Sequence, residues 1–137
     1  MKKTALIFVL AFLLNFLWEH AHSFLYEHYK GGDITGFILL RAALADAAII
    51  TLLSLPFVFV GRFRGNLYIL VTLCVLVSVF IELYALQTGR WAYNDFMPLV
   101  PLLSVGLTPT IQLGLLGYVS YRLSMGKATA KEPSFNG

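Results

Sequence analysis

Four long apolar runs, separated by short polar breaks, dominate the chain. The runs cover residues 4–26, 35–60, 67–86 and 98–121. At about 1.5 Å per residue, each run is long enough as an α-helix to cross a hydrocarbon core of roughly 30 Å. The breaks combine glycine with charged residues, which end helices and prefer water; they lie at residues 30–33, 61–66 and 88–90. The pattern predicts an all-α, polytopic membrane protein built as a four-transmembrane-helix bundle.

Basic residues are distributed unequally between the two sides of this predicted bundle. With a cytoplasmic amino terminus, seven of them fall on the cytoplasmic side and only Lys30 and Arg90 on the other. The seven are Lys2, Lys3, Arg62, Arg64, Arg122, Lys127 and Lys131. Short cytoplasmic loops are enriched in Lys and Arg. The bias therefore predicts an N-in/C-in, multi-pass protein of the cell (inner or plasma) membrane.

The first run also resembles a secretory signal peptide, because Lys2 and Lys3 precede an apolar stretch. However, Trp18 and Glu19 lie where a cleavage site needs small residues, and the apolar run continues to Tyr26. We therefore expect the first run to be retained as a membrane span.

Composition favours the same class of protein. Of 137 residues, 58% are hydrophobic and 12% charged, whereas soluble domains are about 45–50% apolar and about 25% charged. We expect residues 1–125 to form a single transmembrane domain and the polar residues 126–137 a disordered cytoplasmic tail. The net charge of +3 follows from the cytoplasmic basic residues and predicts the lipid bilayer, not a nucleic acid, as partner. The single cysteine, Cys74, can form neither an internal disulfide nor a CxxC site.

Four charged residues lie inside the apolar runs: Glu19, Arg41, Asp46 and Glu82. Each costs roughly 2.5–3.5 kcal/mol on insertion scales, and such residues are usually paired, hydrated or functional. In the predicted topology Glu19, Arg41 and Glu82 fall in the outer half of the membrane, and Asp46 lies nearer the midplane. One arginine cannot neutralise three carboxylates, so at least one acid must be protonated, hydrated or bound to a ligand. Glu19, Glu82 and Asp46 are therefore candidate catalytic residues of one outward-facing site.

The first helix presents a polar face towards this site. Asn15, Trp18, Glu19 and His22 are spaced at i, i+3, i+4 and i+7, so they share one side of an α-helix. We interpret Asn15, Trp18 and His22 as candidate substrate-binding residues.

The third and fourth helices have shorter polar faces. Ser78 shares a face with Glu82, and Ser104, Thr108 and Gln112 form a stripe at four-residue spacing. Thr108 and Gln112 join Arg41 of the second helix as candidate binding residues. A purely structural alternative stays open, in which Arg41 pairs with Glu19 or Glu82 and the amide side chains only join helices.

A metal site is a weaker candidate. Glu19 and His22 have the Glu-x-x-His spacing of carboxylate-bridged metal sites in helix bundles, and Glu82 would complete it. Those sites use two such motifs, and Ala85 stands where Glu82 would need its histidine. The sequence identifies no cofactor.

The loop before the fourth run is unusually rich in polar and aromatic residues. Arg90, Trp91 and Tyr93 are concentrated within residues 87–98, and an interfacial aromatic belt explains only the aromatic residues. We expect the loop to cap the site, with all three as candidate binding residues. Pro109 is predicted to kink the fourth helix in its middle.

Several of these segments together resemble a family of small four-helix prokaryotic membrane proteins for which no activity is established. The resemblance covers most of the four runs and implies their topology. It rests on Asn15-x-x-Trp18-Glu19, residues 41–46 (RAALAD), Glu82, residues 89–93 (GRWAY), Met97-Pro98 and residues 106–112 (GLTPTIQ).

A fainter likeness is to the membrane carotenoid cyclases and hydratases. Those enzymes place an intramembrane glutamate before an aromatic, glycine-containing loop and a proline-rich helix. The corresponding residues here are Glu82, Gly89, Trp91, Tyr93 and Pro98. The likeness implies acid-catalysed conversion of an isoprenoid-like substrate dissolved in the membrane. Because this chain is shorter than those enzymes, such an activity would require a homodimer.

Three functions follow as hypotheses. An enzyme would use Glu82 or Glu19 as general acid, with Trp91 and Tyr93 stabilising positive charge, and would show an apolar groove ending at the acids. A transporter or binder of a lipid-like small molecule would need a polar route past Asp46 towards the cytoplasm. An accessory subunit of a membrane complex would close its internal charges into an ion-pair network without a cavity.

Other enzyme classes lack their motifs. The sequence contains no Gly-x-Ser-x-Gly, no His-Glu-x-x-His and no phosphate-binding glycine loop. Hydrolysis through these constellations and nucleotide chemistry are therefore not predicted. Whether the protein is an enzyme, and whether it forms a homo-oligomer, stays open at this stage.

Overall fold

The computed structural model describes residues 1–126 and consists mainly of four α-helices. These are α1 (Lys2–His22), α2 (Gly36–Phe59), α3 (Leu67–Gln87) and α4 (Leu107–Met125); short 3-10 helices lie at Ser23–Leu25 and Gly61–Phe63, and two short strands, β1 (Tyr26–Tyr29) and β2 (Trp91–Tyr93), complete the fold. The all-α prediction is confirmed. The predicted tail, apart from Gly126, lies outside the described residues.

Three of the helices, α1, α2 and α3, are long and apolar enough to cross a membrane. Each carries large apolar side chains on the side that faces away from the other helices. The exposed side chains include Leu6, Val9, Leu13, Leu17, Phe37, Leu44, Leu52, Leu76 and Phe80. Water would disfavour such a surface, whereas hydrocarbon accommodates it.

Helix α4 is the least apolar of the four helices. It is also the most enclosed by its neighbours, so fewer of its side chains face outwards. Its polar and small residues face the neighbouring helices, α1 and α3 in particular. A Cβ atom on Gly114 would lie 2.8 Å from Val75 Cγ2, and one on Gly117 would lie 3.2 Å from Cys74 Sγ. Glycine at these positions therefore lets α4 approach α3 closely, as in other membrane helix pairs.

The start of the fourth helix differs from the prediction. Residues 98–106 are not helical, and α4 begins only at Leu107. Pro98 and Pro101 cannot donate backbone hydrogen bonds, and Leu102 and Ser104 have left-handed backbone conformations, with φ values of 70° and 54°. The segment folds back on itself through a bridge between Leu99 and Gly106.

This later start also moves Pro109 from the middle of the helix to its first turn. The first backbone N–H groups of a helix have no partner within it, so proline there removes no helical hydrogen bond. The predicted mid-helix kink at Pro109 is therefore wrong. The Thr110 hydroxyl donates to the Gly106 carbonyl, 2.6 Å away, within the same turn.

A two-stranded antiparallel ribbon joins the loops after α1 and α3. Strand β1 pairs with β2, with Tyr29 opposite Trp91 and Tyr26 opposite Tyr93. The predicted helical run to Tyr26 is accordingly too long, because α1 ends at His22 and a 3-10 turn follows. The Asn94 side chain extends the connection by donating to the Phe24 carbonyl at 2.5 Å.

The apolar core fills the half of the bundle that lies away from the ribbon. Ile7, Ile50, Leu70 and Cys74 are completely buried there. Helix α1 packs against α2 and α4, and α3 packs against α4, whereas α2 and α3 contact each other only sparsely. The helices near the ribbon therefore leave space between α2 and α3.

Candidate functional site

A cavity of about 280 Å³ occupies this space beneath the ribbon. Its sides are formed mainly by apolar residues of α2 and α3, among them Ile38, Ala42, Ala45, Ile49 and Ile81; Glu19, Asp46, Glu82 and Gln112 contribute its polar part, and Tyr26, His28, Tyr29 and Trp91 of the ribbon also line it. Arg41 and Ala45 line the cavity and are exposed, so it opens between α2 and α3.

Gln112 connects three polar residues from two other helices. Its Nε2 atom lies 2.9 Å from Asn15 Oδ1, 2.7 Å from Glu19 Oε1 and 2.9 Å from Asp46 Oδ2. An amide nitrogen carries only two hydrogens, so these three acceptors share two donors. Because one nitrogen reaches both carboxyl groups, Glu19 and Asp46 lie close to each other.

Asn15 accepts a hydrogen bond from Gln112 and so helps to fix the position of that amide. It is completely buried, and its Nδ2 donates to the Ala11 carbonyl one turn earlier, at 2.7 Å. That bond leaves Oδ1 pointing towards Gln112. The residue positions the donor of the acidic cluster and does not line the cavity.

Glu82 is held by the second strand of the ribbon. The Tyr93 hydroxyl and Trp91 Nε1 both donate to its Oε2 atom, the latter at 3.2 Å. The Tyr93 hydroxyl in turn accepts from the Gly106 backbone N–H at 2.9 Å. Tyr93 thereby joins β2, α3 and the start of α4 at one atom.

The two tyrosines of the ribbon that adjoin Glu82 are held in their neutral form. Burial, followed by hydrogen bonding and repulsion from Glu82, raises the pKa of Tyr93. Burial and the charge of Glu82 also raise the pKa of Tyr26. Both hydroxyl groups therefore stay protonated at neutral pH, and the one on Tyr93 serves as a permanent donor to Glu82.

His22 connects the acidic cluster to α4. Its Nε2 lies 3.4 Å from Glu19 Oε2, and its Nδ1 lies 3.1 Å from the Thr108 hydroxyl. The Thr108 hydroxyl is also 3.4 Å from the Met97 sulfur. His22 and Thr108 therefore lie behind Glu19 and help to fix it, outside the lining of the cavity.

Arg41 does not neutralise the acids. Within residues 1–126 the contact between His22 and Glu19 is the one contact of 4.0 Å or less between a basic and an acidic side chain. The guanidinium instead lies 5.9 Å from the centre of the Phe37 ring, one turn towards the start of α2. The predicted pairing of Arg41 with Glu19 or Glu82 is therefore wrong, and the described residues form no closed ion-pair network. The other part of the structural alternative, amide side chains that join helices, is present between Gln112 and Asn15.

The weak metal candidate is not assembled either. In the described part of the chain, no three His, Cys, Asp or Glu side chains converge to hold a metal ion. Glu19 and His22 are adjacent, but the Oε2 atom of Glu82 is turned to Trp91 and Tyr93.

Six of the nine predicted binding residues lie outside the cavity lining: Asn15, His22, Tyr93 and Thr108, which contact the acids or their partners, and Trp18 and Arg90. Trp18 packs against the apolar core and contacts the His22 ring edge-on. Arg90 is exposed and lies over Tyr84, with 5.3 Å between its guanidinium carbon and the ring centre. Ser104 is also separated from the predicted stripe with Thr108 and Gln112, because it precedes α4.

The part of the cavity lining that follows α1 was missed by sequence reasoning. Ser23, Tyr26, His28 and Tyr29 all come from the loop after α1. That stretch reads as the end of an apolar run followed by a polar break, and only the pairing of β1 with β2 carries it over the cavity. Residues 26–29 (YEHY) do not alternate between apolar and polar side chains, so their sequence predicts no strand.

A transporter would need a polar route past Asp46, and α2 offers few free polar groups there. Towards the core, the next hydroxyl groups of α2 are bonded to their own helix: Thr51 donates to the Ala47 carbonyl and Ser54 to the Ile50 carbonyl, both at 2.7 Å. Fully buried apolar side chains fill the space beyond, including Ile50 and Cys74.

Comparisons of the chain with protein-family models, curated proteins and solved structures found no match. The functional interpretation therefore rests on the geometry of the cavity.

Proposed function

We propose that the protein crosses a membrane four times, with both termini in the cytoplasm. Three helices have the required length and hydropathy, and the 19 residues of α4 extend about 28 Å, close to the thickness of a hydrocarbon core. α4 needs less apolar character because its neighbours enclose it. The basic residues Lys2, Lys3, Arg62, Arg64 and Arg122 all lie at the ends of helices away from the ribbon, which supports a cytoplasmic assignment of that side.

We propose further that the protein binds a membrane-dissolved, isoprenoid-like or otherwise lipid-like molecule in the cavity. One observation carries this proposal: carboxyl groups from three different helices line a single cavity whose opening lies between two apolar helices. A membrane-dissolved molecule can enter sideways between α2 and α3. Its apolar body then contacts residues such as Ile38 and Ile81, and its polar end meets the acids.

The free-energy cost of placing acidic side chains at membrane depth supports a binding role. Charged or polar groups at membrane depth are retained where they are paired or functional. Asp46 and Glu82 have no cationic side chain within 4.0 Å among residues 1–126. Neutral donors satisfy one oxygen of each, and the remaining oxygens are available to a ligand.

Acid catalysis on an isoprenoid is a second candidate, favoured by two carboxyl groups, those of Glu19 and Asp46, that meet at one Gln112 nitrogen. In its protonated form, either carboxyl group can transfer a proton to a double bond of the substrate. The aromatic rings of Tyr26 and Trp91, which line the same cavity, would stabilise the resulting cation. A carboxylate then takes a proton from a neighbouring carbon, so that the acid is regenerated.

Blocking the opening tests the binding proposal. Ala45 is exposed and lines the cavity, so Ala45→Trp places a large ring in the opening. Ala48→Trp is the matched control, because Ala48 is exposed on the same helix but does not line the cavity. Wild type and the control should retain a co-purifying apolar molecule, detected by native mass spectrometry, and Ala45→Trp should lose it. Equal retention by both variants would contradict the proposal.

The catalytic candidate has a separate test. Glu19→Gln and Asp46→Asn keep the size of each side chain but remove its acid function. If the protein converts an isoprenoid, membranes containing either folded variant should lack a product that wild-type membranes contain. An unchanged product profile in both variants would exclude acid catalysis at these residues while leaving binding intact.

A further inference from the structure

The polar part of the cavity contains many hydrogen-bond acceptors and few donors. Gln112 supplies two hydrogens to acceptors on three residues, and Trp91 and Tyr93 supply one each to the same oxygen of Glu82. No protein donor within residues 1–126 reaches the second oxygen of Asp46, the second oxygen of Glu82 or the carbonyl oxygen of Gln112. The cluster is therefore complementary to a group with several N–H donors.

The two most enclosed members of the cluster make this shortage significant. Glu82 is 4% exposed and Gln112 is 3% exposed, and both line the cavity. Their free oxygens are not among the fully buried atoms that lack a partner, so these oxygens are accessible from the cavity. Because the cavity is the space these side chains face, a ligand in it is the natural source of the missing donors.

The charge of the carboxyl groups indicates which kind of N–H donor the ligand carries. The three carboxyl groups have one ionisable counterpart within 4.0 Å in the described chain, His22 beside Glu19. A group that is both cationic and rich in N–H donors matches the remaining oxygens. A primary ammonium has one positive charge and three donors, whereas a quaternary ammonium has the charge without the donors.

Arg41 indicates a second, opposite charge in the same ligand. It lines the cavity and is exposed, and its guanidinium is directed along α2 towards Phe37, away from Asp46. Arg41 precedes Asp46 by five positions, about 7.5 Å along a helix. An arginine at this depth, with no carboxylate within 4.0 Å, is suited to bidentate binding of a phosphate.

We propose that the cavity binds a phospholipid headgroup carrying a primary ammonium and a phosphate. The ammonium lies among the carboxyl oxygens of Asp46 and Glu82, the phosphate lies against Arg41, and the lipid chains leave between α2 and α3. This assignment rests on the proposed function, which requires only that some membrane-dissolved molecule occupies the cavity.

The test uses the purified full-length protein, exposed separately to micelles containing phosphatidylethanolamine, phosphatidylcholine or phosphatidylglycerol. Retained lipid is counted by native mass spectrometry. Phosphatidylethanolamine should be retained about tenfold better than either other lipid, the scale expected for a lost charge-assisted hydrogen bond. Equal retention of phosphatidylglycerol would overturn the ammonium assignment, and equal retention of phosphatidylcholine would overturn the need for N–H donors.

Variants locate the headgroup. Asp46→Asn and Arg41→Gln should each reduce retention of phosphatidylethanolamine about tenfold. The matched controls Asp33→Asn and Arg90→Gln remove exposed charges outside the cavity and should retain it fully. If Asp46→Asn does not fold, Glu82→Gln provides the same test. Retention unchanged by Arg41→Gln, or by the acid variant, overturns the proposal.

These results separate the two proposals. If a different molecule is retained and Ala45→Trp removes it, the cavity binds a membrane-dissolved ligand and only the headgroup assignment fails. If wild-type protein retains no molecule that Ala45→Trp displaces, both proposals fail.

Discussion

Gln112 on α4 donates a hydrogen bond of 2.7 Å to the carboxyl group of Glu19 on α1. The same nitrogen lies 2.9 Å from Asp46 on α2, so one amide joins three helices at a position where each carries a polar group. Away from the ribbon the bundle is held by apolar packing, whereas here it is held by hydrogen bonds. The amide thus connects the stability of the bundle to the shape of the cavity.

Replacing Gln112 should therefore destabilise the protein. Gln112→Leu leaves Glu19, Asp46 and Asn15 without their shared donor, and unsatisfied buried groups of this kind cost about 2–4 kcal/mol. Thermal unfolding in detergent, followed by circular dichroism, measures the loss. Ile111→Ala is the control, because Ile111 is an exposed neighbour whose truncation should change stability by only about 0.5 kcal/mol. Similar losses in both variants would argue against the role given to Gln112.

The close approach of α3 and α4 gives a second prediction. A Cβ atom on Gly114 would come within 2.8 Å of Val75 Cγ2, so Gly114→Ala should force the helices apart and cost about 1–3 kcal/mol. Gly36→Ala adds the same methyl group where nothing lies within 4 Å, and it should be neutral. The comparison is made by thermal unfolding, and an unaffected Gly114→Ala would show that the contact relaxes without cost.

The ribbon tyrosines predict a loss of stability at high pH. The pKa of Tyr26 and that of Tyr93 are raised above the ordinary value of 10.0. The unfolded chain therefore releases these protons from about pH 10 upwards while the folded chain keeps them, and stability should be constant below that pH and fall above it. Unfolding measured between pH 8 and about pH 11 tests this window.

Phenylalanine variants identify the source of that fall. Tyr26→Phe removes one of the titrating hydroxyl groups, so the decline above about pH 10 should become shallower. Tyr68→Phe, at an exposed tyrosine of α3, should leave the slope unchanged. If the slope is the same in all three proteins, other groups are responsible.

The proposed topology can be tested by labelling. Single cysteines at Lys3, Gly65 and Lys127 should react with a membrane-impermeant thiol reagent only after cells are opened, and cysteines at Asp33 and Thr88 should react in intact cells. Cys74 is buried, so its own reactivity should be low. Labelling of Lys127→Cys in intact cells would show that α4 does not cross the membrane.

Much of the helical framework could be predicted from the sequence. The apolar runs give α1, α2 and α3 within a few residues, because a hydrophobic stretch of about 20 residues in a membrane satisfies its backbone only as a helix. The joint contribution of Glu19, Asp46 and Glu82 to one cavity also follows from their similar depth in the runs, and the structure brings them together.

The features that the sequence did not reveal depend on contacts between distant segments. Strand β1 pairs with β2 across more than 60 residues, and this pairing brings Tyr26 and Tyr29 over the cavity. The direction of the Arg41 side chain could not be predicted either. Spacing along α2 does not determine whether this long, flexible side chain turns towards Glu19 or towards Phe37. The start of α4 at Leu107 could not be predicted, because the non-helical residues 98–106 are as apolar as the helix that follows them.

By itself the sequence determined a largely apolar, helical chain with few charges inside its apolar runs, because hydropathy and helical spacing are local properties. Only the tertiary structure decided that Gln112 joins Glu19 to Asp46, that Arg41 stands apart from the acids, and that α2 and α3 leave an opening. Those outcomes depend on helix neighbours and side-chain direction, which local patterns do not specify.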